Sequence, residues 1–281
     1  MATIERIERV SREDFRNNFL IPRKPVVIDG AIEEWNALEK WNPDYLRKQW
    51  GEHEIDHRTI RGSLSEILDR AKNSSASRPE PYLKNYDVRQ HLPEMLVDIQ
   101  PRLSHAQPNW FDSRLLPALV RVPGSAYELF IGGDGSHIPR LHFDEYGVYN
   151  FISQIYGRKE FWFYPPGATP NLYPLAENPY LSQIEDPLHP DVEKYPLFSE
   201  LSPIRLILNP GETVFVAPGW WHWTRMQELS ISIGTNFADA SNWSQYVEEL
   251  TSEGSRKKRL KWKFMRAYLK LFGITNRYYR G

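Results

Sequence analysis

Three side chains carry donor atoms that suit a divalent metal ion: His142 and Asp144 in the run LHFDEYG, and His222 in APGWWHW. In a strand or at its edge, residues i and i+2 point the same way, about 6 to 7 Å apart, so His142 and Asp144 can converge on one ion. His222 follows a Pro and Gly turn at the end of a β-rich run, as a ligand arriving from a different strand would. Two imidazoles and one carboxylate on one face leave positions of an octahedral ion open, which suits ferrous iron that must bind a co-substrate and dioxygen together. A His-x-Asp pair is also a common accident of sequence. The elements that carry it must therefore decide its meaning.

The chain has 281 residues, enough for one large all-β domain with extensions or for two small domains. Apolar residues make up 41%, aromatics 14% and charged residues 25%, the balance of an ordered globular protein. Cysteine is absent, which excludes disulfides, thiolate zinc sites and thiolate iron sites. Any metal must be held by imidazole and carboxylate. The N-terminus lacks the apolar core of a signal peptide and no run approaches the ~18 apolar residues that span a bilayer, so the expectation is a cytoplasmic protein.

The formal net charge of −1 hides an asymmetry, because residues 255 to 281 hold ten Lys or Arg and no acid. The body before them is acidic. An acidic body argues against nucleic acid as the main partner, since binding phosphates requires a basic face.

Residues 23 to 50 read as a short buried strand from Pro25 to Ile28, a turn at Asp29 and Gly30, and helical spacing through Trp35, Leu38, Trp41 and Leu46. Ser63 followed by Glu66 predicts a capped helix that runs out into a polar loop. From Tyr127 onward the texture changes to short aromatic and β-branched runs cut by Gly and Pro: AYELFIGG, YNFISQIYG, KEFWFYPP, IRLILNPG, TVFVAPGWW and SISIGTNF. Strands at this spacing predict a sandwich or barrel. The Pro- and Asp-rich stretch from Gly167 to Pro203 is too long for a hairpin loop and reads as a functional insertion. The end of the chain reads as an amphipathic basic helix with Leu260, Phe264, Ala267 and Leu271 on one face, beside Leu269 and Phe272. This divides the chain into an N-terminal extension (1–125), a β core (126–240) and a basic helical segment (241–281).

The stretch GDGSHIPRLHFDEYGVYNFISQIYGRKEFWFYPP, with His142, Asp144, Asn150, Gln154, Gly157 and Lys159, resembles the first half of the JmjC or cupin-like 2-oxoglutarate oxygenases. That family includes the asparaginyl hydroxylase acting on hypoxia-inducible factor. The run LNPGETVFVAPGWWHWTRMQELSISIGTNF, with His222 and Asn236, resembles the family's closing strands, and KPVVIDGAIEEWNALEKW its opening. The resemblance implies a mainly β protein with flanking helices around a double-stranded β-helix, the jelly roll. It also implies Fe(II) bound by His142, Asp144 and His222, and 2-oxoglutarate as co-substrate.

By the same resemblance Lys159 pairs with the far carboxylate of 2-oxoglutarate, an arrangement that burial of a dicarboxylate requires. Tyr82 resembles the tyrosine that joins it, and Asn150 and Asn236 would add amide hydrogen bonds near the metal. Each of these also has an ordinary reading: Lys159 as an edge charge, Tyr82 as a half-buried aromatic, the asparagines as strand ends. Two departures stand out. Pro139 and Arg140 replace the family's Ser or Thr followed by Pro, and two extra residues separate Asp144 from Asn150.

The implied reaction is hydroxylation of a peptide or protein side chain, or of an amino-acid-like small molecule, with release of succinate and carbon dioxide. Arg140, Glu145 and the 167–203 insertion are expected at the substrate mouth. The alternatives are a non-enzymatic cupin-like module and a metal cupin enzyme independent of 2-oxoglutarate; retention of Lys159 speaks against both. The basic terminal helix is expected to pack on the barrel or on a second copy, giving a homodimer, in preference to lying on a membrane.

Overall fold

The computed structural model describes residues 3–58, 60–117, 120, 127–252 and 259–279. The strands are β1 (Glu5–Glu8), β2 (Val26–Asp29), β3 (Glu54–His57), β4 (Ile60–Ser63), β5 (Leu83–Asp87), β6 (Glu128–Gly132), β7 (Tyr149–Tyr156), β8 (Lys159–Tyr164), β9 (Ile204–Leu208), β10 (Glu212–Val216), β11 (Trp221–Met226) and β12 (Ser230–Phe237). Seven of them form one sheet in the order β1-β2-β10-β7-β12-β6-β5, and β11-β8-β9 form a second. Bridges from His137 to Arg225 and from His142 to His222 lay the 137–142 segment along β11, extending the second sheet. From β6 onward the core segments pair antiparallel and pass back and forth between the two sheets, with β8 and β9 adjacent in the smaller one. This is a double-stranded β-helix.

Strand parity sorts the side chains of the larger sheet, since alternate residues face opposite sides. On its outer face Phe151, Phe215 and Phe237 pack with Phe15 from the N-terminal segment, and this cluster is entirely apolar and buried. Phe151 has its ring centre 5.5 Å from Phe15, 5.3 Å from Phe215 and 5.5 Å from Phe237. The inner face packs against Phe161 and Phe163 of β8 through Phe130, Ile152, Val214 and Val216. The same inner face also carries Glu128, Asn150, Ser232 and Asn236, all buried. Polar side chains inside an apolar strand sandwich need partners there.

Four helices of eight or more residues flank the sheets: α1 (Pro43–Trp50), α2 (Leu64–Asn73), α3 (Trp243–Ser252) and α4 (Arg259–Tyr279). The expected capping box opens α2: Ser63 accepts from the Glu66 backbone N–H, and the Glu66 side chain accepts from the Ser63 N–H. The helical spacing from Trp35 to Leu46 is broken at Trp41, between a short helix Ala37–Lys40 and α1. Asn42 caps α1 with Pro43 at its first turn, a signal that ends one helix and starts another.

On α4 the buried face differs from the one that periodicity suggested. Leu269 and Phe272 are buried, with Phe272 edge-on to Trp110 and the Trp243 indole N–H donating to the Leu269 carbonyl at 2.8 Å. Phe264 and Leu271 are 71% and 59% exposed, Ala267 is exposed, and the Leu260 side chain lies outside those described. No helix among the described residues is long and apolar enough to cross a membrane.

Candidate metal centre and cofactor pocket

His142, Asp144 and His222 come together with their ligand atoms all within 4.8 Å of one another. The geometry is set by backbone pairing. The His142 N–H donates to the His222 carbonyl at 3.1 Å and the His222 N–H to the His142 carbonyl at 2.7 Å, so two distant segments are held directly opposite each other. Asp144 lies just beyond, at the start of a 3-10 turn over Glu145–Gly147 rather than within a strand. The i and i+2 spacing still serves because Asp144 remains extended, with φ −65° and ψ 135°.

Both imidazoles are oriented for coordination. His142 Nδ1–H donates to the Arg140 carbonyl and His222 Nδ1–H to the Trp220 carbonyl, each at 3.1 Å, which leaves both Nε2 atoms free as ligands. Burial, aided by the neighbouring His222, holds His142 well below the usual imidazole range. Metal ligation needs that neutral form. Asn150 Nδ2 donates to an Asp144 carboxylate oxygen at 3.3 Å, while its own Oδ1 is buried without a partner. This donor set fits Fe(II).

Lys159 opens β8 and is 2% exposed. Its ammonium donates to Ser232 Oγ at 2.5 Å and lies over the Phe130 ring, 4.7 Å from its centre, with no acid beside it among the described residues. Burial alone pushes its pKa down to about 7. A buried, unpaired ammonium is costly unless an anion joins it. Tyr82 is buried in the same inter-sheet cluster, its hydroxyl toward Thr224, and burial raises its pKa. Ser232 lies four residues before Asn236 on β12, so Lys159 meets the strand about 13 Å along it from the asparagine pair.

The turn before Lys159 explains the Gln154, Gly157 and Lys159 spacing. Gly157 has φ 65°, and a Cβ there would lie 1.9 Å from the Leu229 carbonyl oxygen. Gln154 Nε2 ties the turn to the opposite strand, donating to the Gly157 carbonyl at 2.9 Å and to Ser230 Oγ at 2.8 Å.

A cavity of about 440 Å³ opens over the metal group, lined among others by His142, Asp144, Asn150 and Asn236. His222, Lys159 and Tyr82 are not part of that lining. Asn150 and Asn236 pair directly across β7 and β12. The two residues inserted after Asp144 are absorbed by the 3-10 turn, with Tyr146 at φ 60° and Gly147 at φ 61°. Arg140, expected at the mouth, lines the cavity but turns outward to Glu185 and to the Ser182 carbonyl, pinning the 167–203 insertion. The hydroxyl lost at position 139 has counterparts in Thr224 beside Tyr82 and Ser232 beside Lys159.

Sequence reasoning missed Ser232 and Glu128. Ser232 had a signal, since Ser230, Ser232 and Asn236 share one face of an apolar strand, whereas Glu128 shares its face with Phe130 and is marked only as a charge in an apolar run. Glu128 is 3% exposed and accepts from Asn85 Nδ2 at 2.9 Å. Burial pushes its pKa up to about 8.

Residues 12–242 match the cupin-like domain family. This chain belongs to that family. Among its cupin-like relatives are lysine-specific demethylase 8 of Xenopus tropicalis, 30% identical over 248 residues that cover 83% of this chain and 52% of the relative. Another is the arginine-specific demethylase JMJ22 of Arabidopsis thaliana, 28% identical over 263 residues, 90% of this chain and 49% of that one. The human bifunctional peptidase and (3S)-lysyl hydroxylase JMJD7 is 24% identical over 265 residues, with 79% of each chain covered. The chain spans about half the length of the first two relatives. The likeness to the asparaginyl hydroxylase acting on hypoxia-inducible factor is only approximate.

Proposed function

We propose that this cupin-like protein is an Fe(II)- and 2-oxoglutarate-dependent oxygenase that hydroxylates a side chain of a peptide or protein. The observation that carries this reading is Lys159, a buried ammonium with no acid partner, beneath a His-Asp-His group whose imidazoles are already turned to coordinate. A dead binding module has no use for that cation, and a metal cupin without 2-oxoglutarate leaves it unpaired. The protein substrate is supported by relatives named as lysine and arginine demethylases and a lysyl hydroxylase.

In this reading His142, Asp144 and His222 hold the iron. Lys159 and Tyr82 bind the far carboxylate of 2-oxoglutarate, Asn150 orients Asp144, and Asn236 supports the same wall. Iron supplies the oxidation: substrate C–H, dioxygen and 2-oxoglutarate become substrate C–OH, succinate and carbon dioxide. The protein's part is to keep coordination positions open, orient the co-substrate and exclude water from the inter-sheet space. Pairing of two copies through α4 is supported by the exposed Phe264, Tyr268, Leu271 and Ile274.

The test is succinate formation from 2-oxoglutarate by anaerobically iron-loaded protein exposed to air, with His142→Ala and Lys159→Ala as controls. Succinate that depends on both residues is the expected result. Absence of turnover together with failure to bind 2-oxoglutarate in a calorimeter overturns the reading.

A further inference from the structure

Three residues that are not glycine hold left-handed backbone around the cavity over the metal group: Arg58 at φ 54°, Asn85 at φ 52° and Tyr146 at φ 60°. Such strain persists where the surrounding structure over-determines it, and it gathers at functional sites. Two of these distortions place cations. Arg58 follows the last residue of β3, and the irregular pairing of β5 with β6 between Leu83 and Tyr86 turns both Lys84 and Asn85 toward the cavity.

Neither cation forms an ion pair within 4.0 Å of a carboxylate among the described residues, and the acid within electrostatic reach of Arg58 is Glu128. Lys84 is half-buried, and burial with the nearby Arg58 pushes its pKa down to about 8. Its charge is felt at His142, which places it next to the metal group. Three acids line the same cavity. Asp144 belongs to the metal group, Glu145 meets Asn178 at 3.5 Å, and Glu128 is tied to Asn85 and Asn236. Glu128 lies within electrostatic reach of Arg58, yet burial favours its neutral form. Arg140, the third cation of the lining, is satisfied by Glu185. Arg58 and Lys84, neither in an ion pair among the described residues, therefore line the cavity beside the His-Asp-His group.

We propose that Lys84 and Arg58 form a substrate subsite for a carboxylate, so that the peptide oxidised at the metal carries an acidic group close to its target carbon. This rests on the oxygenase reading for the word substrate, but the subsite itself is tested without turnover. Lys84 and Arg58 are specificity-determining in this assignment and touch neither iron nor 2-oxoglutarate. The carboxylate has two sources in a peptide, an acidic side chain or the chain end.

The experiment is pulse acetylation of the full chain with acetic anhydride near pH 8, read residue by residue by mass spectrometry, with the exposed Lys40 and Lys194 as internal references. Lys84 is expected to react faster than either reference. Acetyl-Gly-Glu-Gly-amide is expected to slow Lys84 about tenfold while acetyl-Gly-Gln-Gly-amide does not, the scale of one charge-assisted hydrogen bond. Arg58→Gln should remove most of that protection and leave the reference lysines unchanged. If instead acetyl-Gly-Gln-Gly with a free carboxyl end protects and the Glu peptide does not, the subsite holds and its carboxylate is the chain end. Equal effects of charged and neutral peptides, or protection by inorganic phosphate alone, overturn the proposal. Protected Lys84 without succinate formation would remove the oxygenase reading and leave the subsite; succinate formation with unprotected Lys84 would do the reverse.

Discussion

The two ends of the barrel interior stand on the same strands and treat charge in opposite ways. At the deep end β8 and β12 enclose Lys159, whose near neighbours are a serine hydroxyl and the Phe130 ring. At the mouth, Glu128 is hydrogen-bonded by Asn85 and Asn236, Asn150 donates to Asp144, and side chains of both signs line the cavity. An isolated buried charge selects one complementary ion strongly. A mixed polar mouth selects by shape and pattern and admits larger ligands. The difference teaches which end is built for a small constant co-substrate and which for a variable partner.

The sharpest way to break this comparison is to remove the metal group between the ends. Asp144→Ala is expected to abolish iron retention and lower succinate formation by ~1,000-fold or more, read by metal analysis and product assay. The protein should stay folded, since Asp144 is not among the buried core residues. By contrast, Phe151→Ala strikes the outer apolar face and should cost about 3 to 5 kcal/mol in denaturant unfolding. It separates the scaffold from the site.

Lys159→Met tests the deep end alone. It should weaken 2-oxoglutarate binding by about 2 to 3 kcal/mol, roughly 100-fold, in calorimetry, with iron content unchanged. The pH dependence sharpens the same point. With a free-state pKa of about 7, Lys159 must gain a proton to pair with the anion. Affinity is therefore expected to be level below about pH 7 and to fall up to tenfold per unit above it, and the Met variant should lose that slope.

The smallest effect belongs to the mouth. Glu128 has a folded pKa of about 8 against a usual value of 4.5, so the native state holds a proton that the unfolded chain has released. Stability is lost as pH rises through that window, and Glu128→Gln should remove the loss. The variant is expected to match the parent near pH 4 and to melt higher near pH 9 in metal-free protein.

Much of the strand order and the His-Asp-His grouping was legible because short aromatic runs and a two-residue ligand spacing are local signals. The buried strand ahead of Gly30 and the Ser63 capping box were readable for the same reason. Other features depended on which face a residue met. Ser232 becomes a partner of Lys159 only when β8 and β12 lie across the inter-sheet space, and the pattern SISIG alone does not say so. On α4 the periodicity put Leu260, Phe264, Ala267 and Leu271 on one apolar face with Leu269 and Phe272 beside them, and of these Trp243 and Trp110 bury only Leu269 and Phe272 among the described side chains. Arg140 and Glu185 meet through an insertion whose path has no repeat to read.

The backbone pairing of His142 with His222 carries a consequence for biogenesis. As the chain leaves the ribosome, residues 142 and 144 emerge well before 222, and two ligands alone are a poor trap for any ion. The third arrives only when β11 zips against the 137–142 segment, so metal capture is a late checkpoint of assembly. In the oxygenase reading, a chain in which these two segments have not yet paired brings at most two of the three ligands together.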